Sequence, residues 1–510
     1  MAEITKPTPE RPFTVPNYIW ILFAALAVAA YFCGLNLPLV GPDEPRYAQV
    51  AREMLQRGDW VTPTLGGHPW FEKPALLYWM EIVAYKAFGV TEFAARLGPA
   101  LCGLGTVAAM WILGRFLSTN DEQRTTNQLA NWLALITAST LGILVFSHGA
   151  SFDIVITFTM TAALVGFFIF DRRGDTLALT SFYIFIGASL LAKGLIGVIF
   201  PFAIVVFYFV LSRKLPRRKF AFSLFWGTFV SLAIAAVWYV PVYLQNGWTF
   251  VDEFIIQHHF QRFTSNKYQH PQPFYFFFWV LPLMTLPWLP FVVTGLISFT
   301  KRSWGPKNPP ANVPTRRDSA LMFSIAWVAV PLVFFSLSGS KLPGYILPAV
   351  PGALLIAGIC VAKATRGWKV VALGTAGVVF VGTIVLMFAV VPRYADVESV
   401  KPLIEASTAK GFGNDRIYAV HSTPHGAEFY APDRLLRGVD GQQKKLYSGA
   451  ELKTEMERAG VTRALAIVSA NYPDDITIYK QILKCEPIAS NGDLAIYSVE
   501  SLSSPPQTVH

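Results

Sequence analysis

Apolar residues fall in runs of helical length along most of this chain. Stretches such as 19–40 and 195–211 contain no charged residue at all, and about 20 apolar residues are enough to cross the hydrocarbon core of a bilayer as a helix. Taken at that length, the pattern predicts spans near 18–38, 98–117, 128–147, 153–170, 176–192, 194–211, 220–242, 273–299, 319–337, 343–363 and 369–391. After Val391 the pattern changes. Ile417–Val420, Ala464–Val468 and Leu494–Val499 are short strand-like runs. Ser448 and Glu451 form a capping box for a helix between the first two runs, which Gly460 can close. The expected architecture is an α-helical polytopic membrane protein of about 11 to 13 transmembrane helices with a small C-terminal α/β soluble domain, divided as 1–391 and 392–510.

Composition agrees with the pattern. Of 510 residues, 53% are hydrophobic and only 15% are charged, against roughly 25% charged in an ordinary soluble chain. That much apolar surface cannot be hidden in one or two water-soluble cores. Disorder, a collagen repeat and a disulfide scaffold are excluded together: the apolar content is too high, glycine has no period, and four cysteines are too few. The net charge of +10 raises nucleic acid as a partner until the basic residues are placed. They cluster at the ends of apolar runs, as Arg213, Lys214, Arg217, Arg218 and Lys219, then Lys301, Arg302, Lys307, Arg316 and Arg317, then Lys363, Arg366 and Lys369. This is the positive-inside pattern of a membrane protein, not a nucleic-acid patch. Lys6 and Arg11 precede the first run without a small-residue cleavage site, so that run reads as an uncleaved helix. With a cytoplasmic N-terminus, 41–97, 147–151, 243–271, 338–342 and the C-terminal domain lie outside.

The outer segments hold the candidate chemistry. Asp43, Glu44, Arg46 and Tyr47 open a stretch with Val50, Ala51, Met54 and Leu55 at helical spacing, which predicts an amphipathic helix along the membrane surface. Asp43 and Glu44 either cap this helix or act as acid–base groups. Glu72 and Lys73 follow between aromatic residues, where the lysine either holds a lipid phosphate or snorkels to the interface. Asp153 and Lys193 sit at ends of apolar runs, positions where an ionisable group is costly and functional by default. His258, His259, His270 and Arg262 lie in the 243–271 segment, and His259 with Glu72 is the candidate set for a divalent metal. Lys341, in a tight outer turn before Tyr345, opposes the usual charge bias. Together the cations suit a phosphate, and the carboxylates on the same face suit acid–base work. A transporter for an anionic lipid or sugar would use similar residues, but with paired broken helices or repeats, which the sequence does not display.

Four separated motifs carry a resemblance: Asp-Glu-x-Arg-Tyr-Ala at 43–48, Phe-Glu-Lys-Pro at 71–74, Gln-Arg-Phe at 261–263 and Lys-Leu-Pro-x-Tyr-Ile-Leu-Pro at 341–348. Over roughly 15–390 the chain resembles the aminoarabinose transferases that modify lipid A, within the protein O-mannosyltransferase-like group of GT-C glycosyltransferases. The resemblance implies a bacterial inner-membrane enzyme with an extracytoplasmic C-terminal domain, using a polyprenyl-phosphate-linked sugar as donor and lipid A, another glycan or a protein as acceptor, in the presence of membrane lipids. It implies Asp43 as the leading catalytic carboxylate with Glu44 beside it and Asp153 as the second. Arg46, Tyr47, Lys73, Arg262, Lys341 and Tyr345 match the motifs, and Lys193 joins them as a phosphate-binding cation. No cofactor is certain from the motifs, and a divalent metal is left open.

Overall fold

The computed structural model describes residues 14–118, 123–261, 272–304, 316–438, 441–469 and 483–501. In chain order its helices are α1 (Asn17–Phe32), α2 (Asp43–Arg57), α3 (Leu76–Phe88), α4 (Glu92–Leu117), α5 (Gln123–Ala138), α6 (Leu141–Ser147), α7 (Phe152–Arg173), α8 (Thr176–Lys193), α9 (Ile196–Ser212) and α10 (Arg218–Phe250). Then come α11 (Phe276–Met284), α12 (Leu289–Trp304), α13 (Arg316–Ser336), α14 (Val350–Lys363), α15 (Arg366–Ala389), α16 (Val391–Glu398), α17 (Lys401–Ala409), α18 (Ala427–Tyr430) and α19 (Gly449–Arg458). Among the described residues seven helices are long and apolar enough to cross a membrane, or nine if each of two bent pairs is one span, and α1 and α9 are shorter apolar helices. This is a multi-pass membrane protein, with helical structure at each apolar run.

The bent pairs depart from the sequence expectation. Helices α5 and α6 meet at 58°, and α11 and α12 at 110°. The two breaks touch, for the Leu141 N–H donates to the Leu286 carbonyl at 2.9 Å. Buried breaks must satisfy their own backbone. The hydroxyls of Ser139, Thr140 and Thr285 help by donating to the carbonyls of Leu135, Ile136 and Pro282. Pro282 and Pro287 account for the second break, since proline cannot donate to the helix ladder.

The segment 41–97 is a folded platform, not a loop. Acidic residues in the first turn favour the start of α2, and Gly58, at φ 67°, ends it in the left-handed conformation. Strands β1 (Thr64–Leu65) and β2 (His68–Pro69) make a small hairpin. Its turn donates the Gly66 and Gly67 N–H groups to the Glu53 carboxylate at 2.7 and 3.1 Å. The apolar side of α2 (Ala48, Val50, Ala51, Met54) is buried in the protein, with α3 packed beside it. The expected surface helix is therefore an internal support. The 243–271 segment also differs from expectation: α10 runs on to Phe250 and continues as a π-helix over Val251–Gln261. Gly247, at φ 57°, gives the kink.

The C-terminal unit is a five-stranded sheet in the order β4-β3-β5-β7-β6, from β3 (Ile417–Val420), β4 (Lys445–Leu446), β5 (Arg463–Ser469), β6 (Leu483–Ser490) and β7 (Leu494–Ser501). The first three are mutually parallel, and β7 pairs antiparallel with β5 and β6. The Ser448 half of the capping box forms, its Oγ accepting the Glu451 N–H at 3.2 Å, while the Glu451 carboxylate accepts the Tyr447 N–H at 2.8 Å, one residue before the cap. None of the four cysteines forms a disulfide.

Candidate active site

The unit next to the membrane part is fastened to the platform that carries Asp43. The Tyr430 hydroxyl accepts the Leu39 N–H at 2.7 Å and donates to Glu92 at 3.2 Å. Lys401 pairs with the same Glu92 at 2.7 Å, and Arg52 donates to the Phe429 carbonyl at 3.1 Å. Between platform and helices lies a cavity of about 590 Å³. Its wall includes Asp43, Glu44, Tyr47, Glu72, Lys73, Asp153, Lys193 and Tyr345, with Val145, Phe146, Ile199 and Phe334 as apolar lining. Residues far apart in sequence thus share one space.

Three carboxylate–cation pairs organise this site. Asp43, the first residue of α2, pairs with Arg46 one turn on, and its side chain is 52% exposed. The Arg46 guanidinium lies 5.7 Å from the Trp70 ring centroid, a cation–π distance. Glu72 and Lys73 pair at 2.8 Å and are both largely buried. Asp153 starts α7 behind Ser151, whose hydroxyl accepts the Asp153 N–H, and pairs with Lys193 at the end of α8. The Lys193 ammonium stands 5.0 Å from the Tyr345 ring centroid. A Cβ on Gly344 would collide with the Asp153 carboxylate, so any larger residue before Tyr345 would displace that carboxylate. Tyr47 packs edge-on against Phe152 at 4.9 Å. Burial pushes its phenol well above the usual range, with Glu72 and Asp43 adding to the shift, so it remains a proton donor.

Two expected site residues have other work. Glu44 is buried, and both its oxygens are occupied: they accept the Arg96 Nε and Nη2 groups at 2.6 and 2.8 Å, and the N–H groups of Ala150 and Val40 at 2.9 and 3.0 Å. Arg96 also donates to the carbonyls of Leu35, Leu37 and Pro38. With two donors from Arg96 and two from the backbone, Glu44 ties the start of α2 to α4 and to the residues before α7. Lys341 is buried within its own turn, donating to the Ser338 carbonyl at 2.5 Å. That turn lines the cavity through Ser338, Ser340, Leu342 and Tyr345, and Lys341 holds the turn together from within. Arg262 and the His259 side chain lie outside the described residues. Among the described residues no group of three or more His, Cys, Asp or Glu side chains is arranged to hold a metal ion.

The model of the dolichyl-phosphate-mannose-protein mannosyltransferase family matches residues 19–252, a stretch that includes the Asp43, Glu72, Lys73, Asp153 and Lys193 positions. Curated relatives named undecaprenyl phosphate-alpha-4-amino-4-deoxy-L-arabinose arabinosyl transferase match as well. The Aeromonas salmonicida protein is 32% identical over 63% of this chain and 56% of its own length. The Yersinia enterocolitica protein is 34% identical over 66% and 58%. The chain thus spans well under two thirds of the length of these relatives. Among solved structures, ArnT from Cupriavidus metallidurans bound to undecaprenyl phosphate superposes with a TM-score of 0.75 at 21% identity, covering 95% of this chain and 98% of that one. An Archaeoglobus fulgidus oligosaccharyltransferase superposes at 0.54 and 13% identity, over 89% and 69%. This chain has the fold of that ArnT structure and is similar in sequence to the arabinosyl transferases.

Arg96 is the site residue that sequence reasoning missed among these relatives' shared span. Its signal was present, as a lone cation at the edge of an apolar run. His425 was missed for a different reason: it comes from the C-terminal unit, and only the fold brings it within electrostatic reach of Asp43 and Arg46.

Proposed function

We propose that the protein is a membrane glycosyltransferase that moves a sugar from a polyprenyl-phosphate-linked donor to an extracytoplasmic acceptor, with lipid A as the leading acceptor. The names of the relatives and the fold support this reading. The observation that carries it is one cavity that Asp43, the Glu72–Lys73 pair and the Asp153–Lys193 pair share with an apolar lining, a combination suited to a charged sugar phosphate on a lipid tail.

The chemistry follows from the donor. A polyprenyl phosphate is a good leaving group because a phosphate monoester is weakly basic, with a second pKa of about 6. The bond to the anomeric carbon therefore needs charge stabilisation more than a proton. An ammonium carries three donors, so pairing with Asp153 leaves Lys193 able to take a phosphate oxygen, and Lys73 supplies a second cation. Asp43, held by Arg46 on the half-open side, orients or deprotonates an attacking hydroxyl. Attack from the face opposite the phosphate inverts the anomeric centre. With a phosphate oxygen of lipid A as nucleophile, Asp43 instead holds the acceptor or the sugar. The basic clusters support placement in a bacterial inner membrane with the site and C-terminal unit outside.

The paired helix breaks are the feature that favours a transporter. Their segments 137–146 and 280–293 contain no Asp, Glu, Lys or Arg, whereas broken transporter helices expose their ends to a charged substrate or ion. Transfer remains the better reading. Purified protein incubated with undecaprenyl-phosphate-linked aminoarabinose and lipid A should yield a lipid A heavier by one sugar in mass spectrometry, with or without a chelator. Movement of intact donor across proteoliposomes without any sugar transfer would refute it, and activity lost to chelation and restored by a divalent metal would return Glu72 to a metal-binding role.

A further inference from the structure

The parallel strand β3 ends at Val420, and the chain continues through His421–Gly426 into α18. Strands β4 and β5 lie on opposite sides of β3. In open α/β sheets the carboxyl end of a strand at such a change of direction is where ligands sit. Here that end does not face open water. Helix α18 rests on α2, and its anchors flank Asp43 on both sides in sequence: Tyr430 holds Leu39 at 2.7 Å and Arg52 holds Phe429 at 3.1 Å. Gly66 and Gly441 complete the junction, since a Cβ on either would strike Arg437 or His68 from across it.

His425, half-buried in this loop, is brought by that junction to Asp43 and Arg46. Burial and the Arg46 charge lower its pKa to about 4 against the opposing effect of Asp43. At neutral pH its ring is uncharged, with one nitrogen as donor and the other as acceptor. Arg46 Nε, although buried, has no hydrogen-bond partner among the described residues, and Asp43 is half open. The loop before α18 thus brings a neutral imidazole to the side of α2 where Arg46 Nε lacks a partner among the described residues and Asp43 is half open.

We propose that His425 is a specificity-determining residue of the acceptor side, hydrogen bonding the polar head of the acceptor and positioning it over Asp43. This rests on the glycosyl-transfer reading, and it gives the C-terminal unit a part in acceptor choice that the membrane helices alone would not supply. The donor, on the Lys73 and Lys193 side, does not depend on His425.

The test uses full-length protein in detergent with undecaprenyl-phosphate-linked aminoarabinose and purified lipid A, comparing wild type, His425→Ala and His425→Gln. Loss of one neutral hydrogen bond should raise KM for lipid A about five- to tenfold, with kcat, donor KM and thermal stability unchanged. His425→Gln, which keeps a donor and an acceptor, should recover part of the loss and also covers the case in which the alanine variant does not fold. Unchanged acceptor KM in either folded variant, or an equal rise in donor KM, would overturn the inference. So would a parallel fall of kcat and stability, because that is the signature of a purely structural residue. No sugar transfer by the wild-type protein would instead overturn the underlying reading of function.

Discussion

Asp43 and Glu44 are neighbours in sequence, and the structure assigns them opposite costs on neutralisation. Glu44→Gln replaces one of two oxygens that together accept four hydrogen bonds, two from Arg96 and two from backbone N–H groups. The new amide presents a donor where a donor already stands, and the Arg96 charge is left buried without its counter-ion. Breaking a buried pair in this way costs about 3–5 kcal/mol. Asp43→Asn removes a half-exposed contact within one helical turn, worth about 0.3–0.5 kcal/mol, and weakens the helix N-terminus by about 1 kcal/mol at most. Thermal unfolding in detergent, followed by size-exclusion chromatography, should therefore show a large loss of stability for Glu44→Gln and almost none for Asp43→Asn. Turnover should fall in both, but only Asp43→Asn should lose it while remaining folded. A stable Glu44→Gln protein with selectively abolished turnover would refute this division and restore Glu44 as an acid–base group.

Three further outcomes follow from the geometry. Glu81 in α3 is fully buried with neither oxygen hydrogen bonded among the described residues, and burial raises its pKa well above the usual value, the Glu44 charge adding to this. The folded state then holds a proton that the unfolded state releases above about pH 4.5, so stability falls as pH rises from there toward the folded pKa; Glu81→Gln should gain melting temperature over wild type at pH 8 but not at pH 4. Gly344→Ala would drive a methyl group into the Asp153 carboxylate and should cost most of the turnover while the protein still purifies as a monodisperse species; full activity would show that the Asp153–Lys193 pair is dispensable. Reporter fusions after Val391 should be active outside the cytoplasm and those near Lys307 inside, and the reverse pattern would remove the site from the outer face.

Helix positions were legible because a bilayer imposes one strong rule, a long apolar run for each crossing, and that rule is written locally. The C-terminal sheet was only half legible. Ile417–Val420 has an unbroken apolar run, whereas β6 carries Lys484, Glu486 and Pro487. Pro487 is tolerated because β6 is an edge strand, a property that depends on which strands become its neighbours. The broken helices were invisible for a related reason. Breaks at Thr140 and Leu286 leave the mean hydropathy of each run intact, and the hydrogen bond that joins them depends on two segments far apart in the chain. Residue types identified Asp43, Lys73, Asp153 and Lys193, which do share a cavity, but type alone could not separate Asp43 from Glu44 or recognise that Lys341 turns back into its own loop.

That separation bears on how a phosphate is received. Bare lysines at membrane depth would carry a heavy desolvation cost and tend to lose their protons. In this protein Lys73 and Lys193 each have a carboxylate partner before any substrate arrives. The partner orients the ammonium, so on the transfer reading the donor phosphate enters a field already arranged for it. The same arrangement limits affinity, because Glu72 and Asp153 repel the phosphate that Lys73 and Lys193 attract. For an enzyme that must release polyprenyl phosphate after each turnover, that opposition is useful. A site of unpaired lysines would bind the anionic product more tightly than the neutral-paired one and turn over more slowly. Removing a carboxylate while keeping its lysine, as in Glu72→Gln, should accordingly tighten binding of the sugar-free polyprenyl phosphate even as it slows the reaction, and looser binding would show that Glu72 holds Lys73 in the only orientation from which it can act.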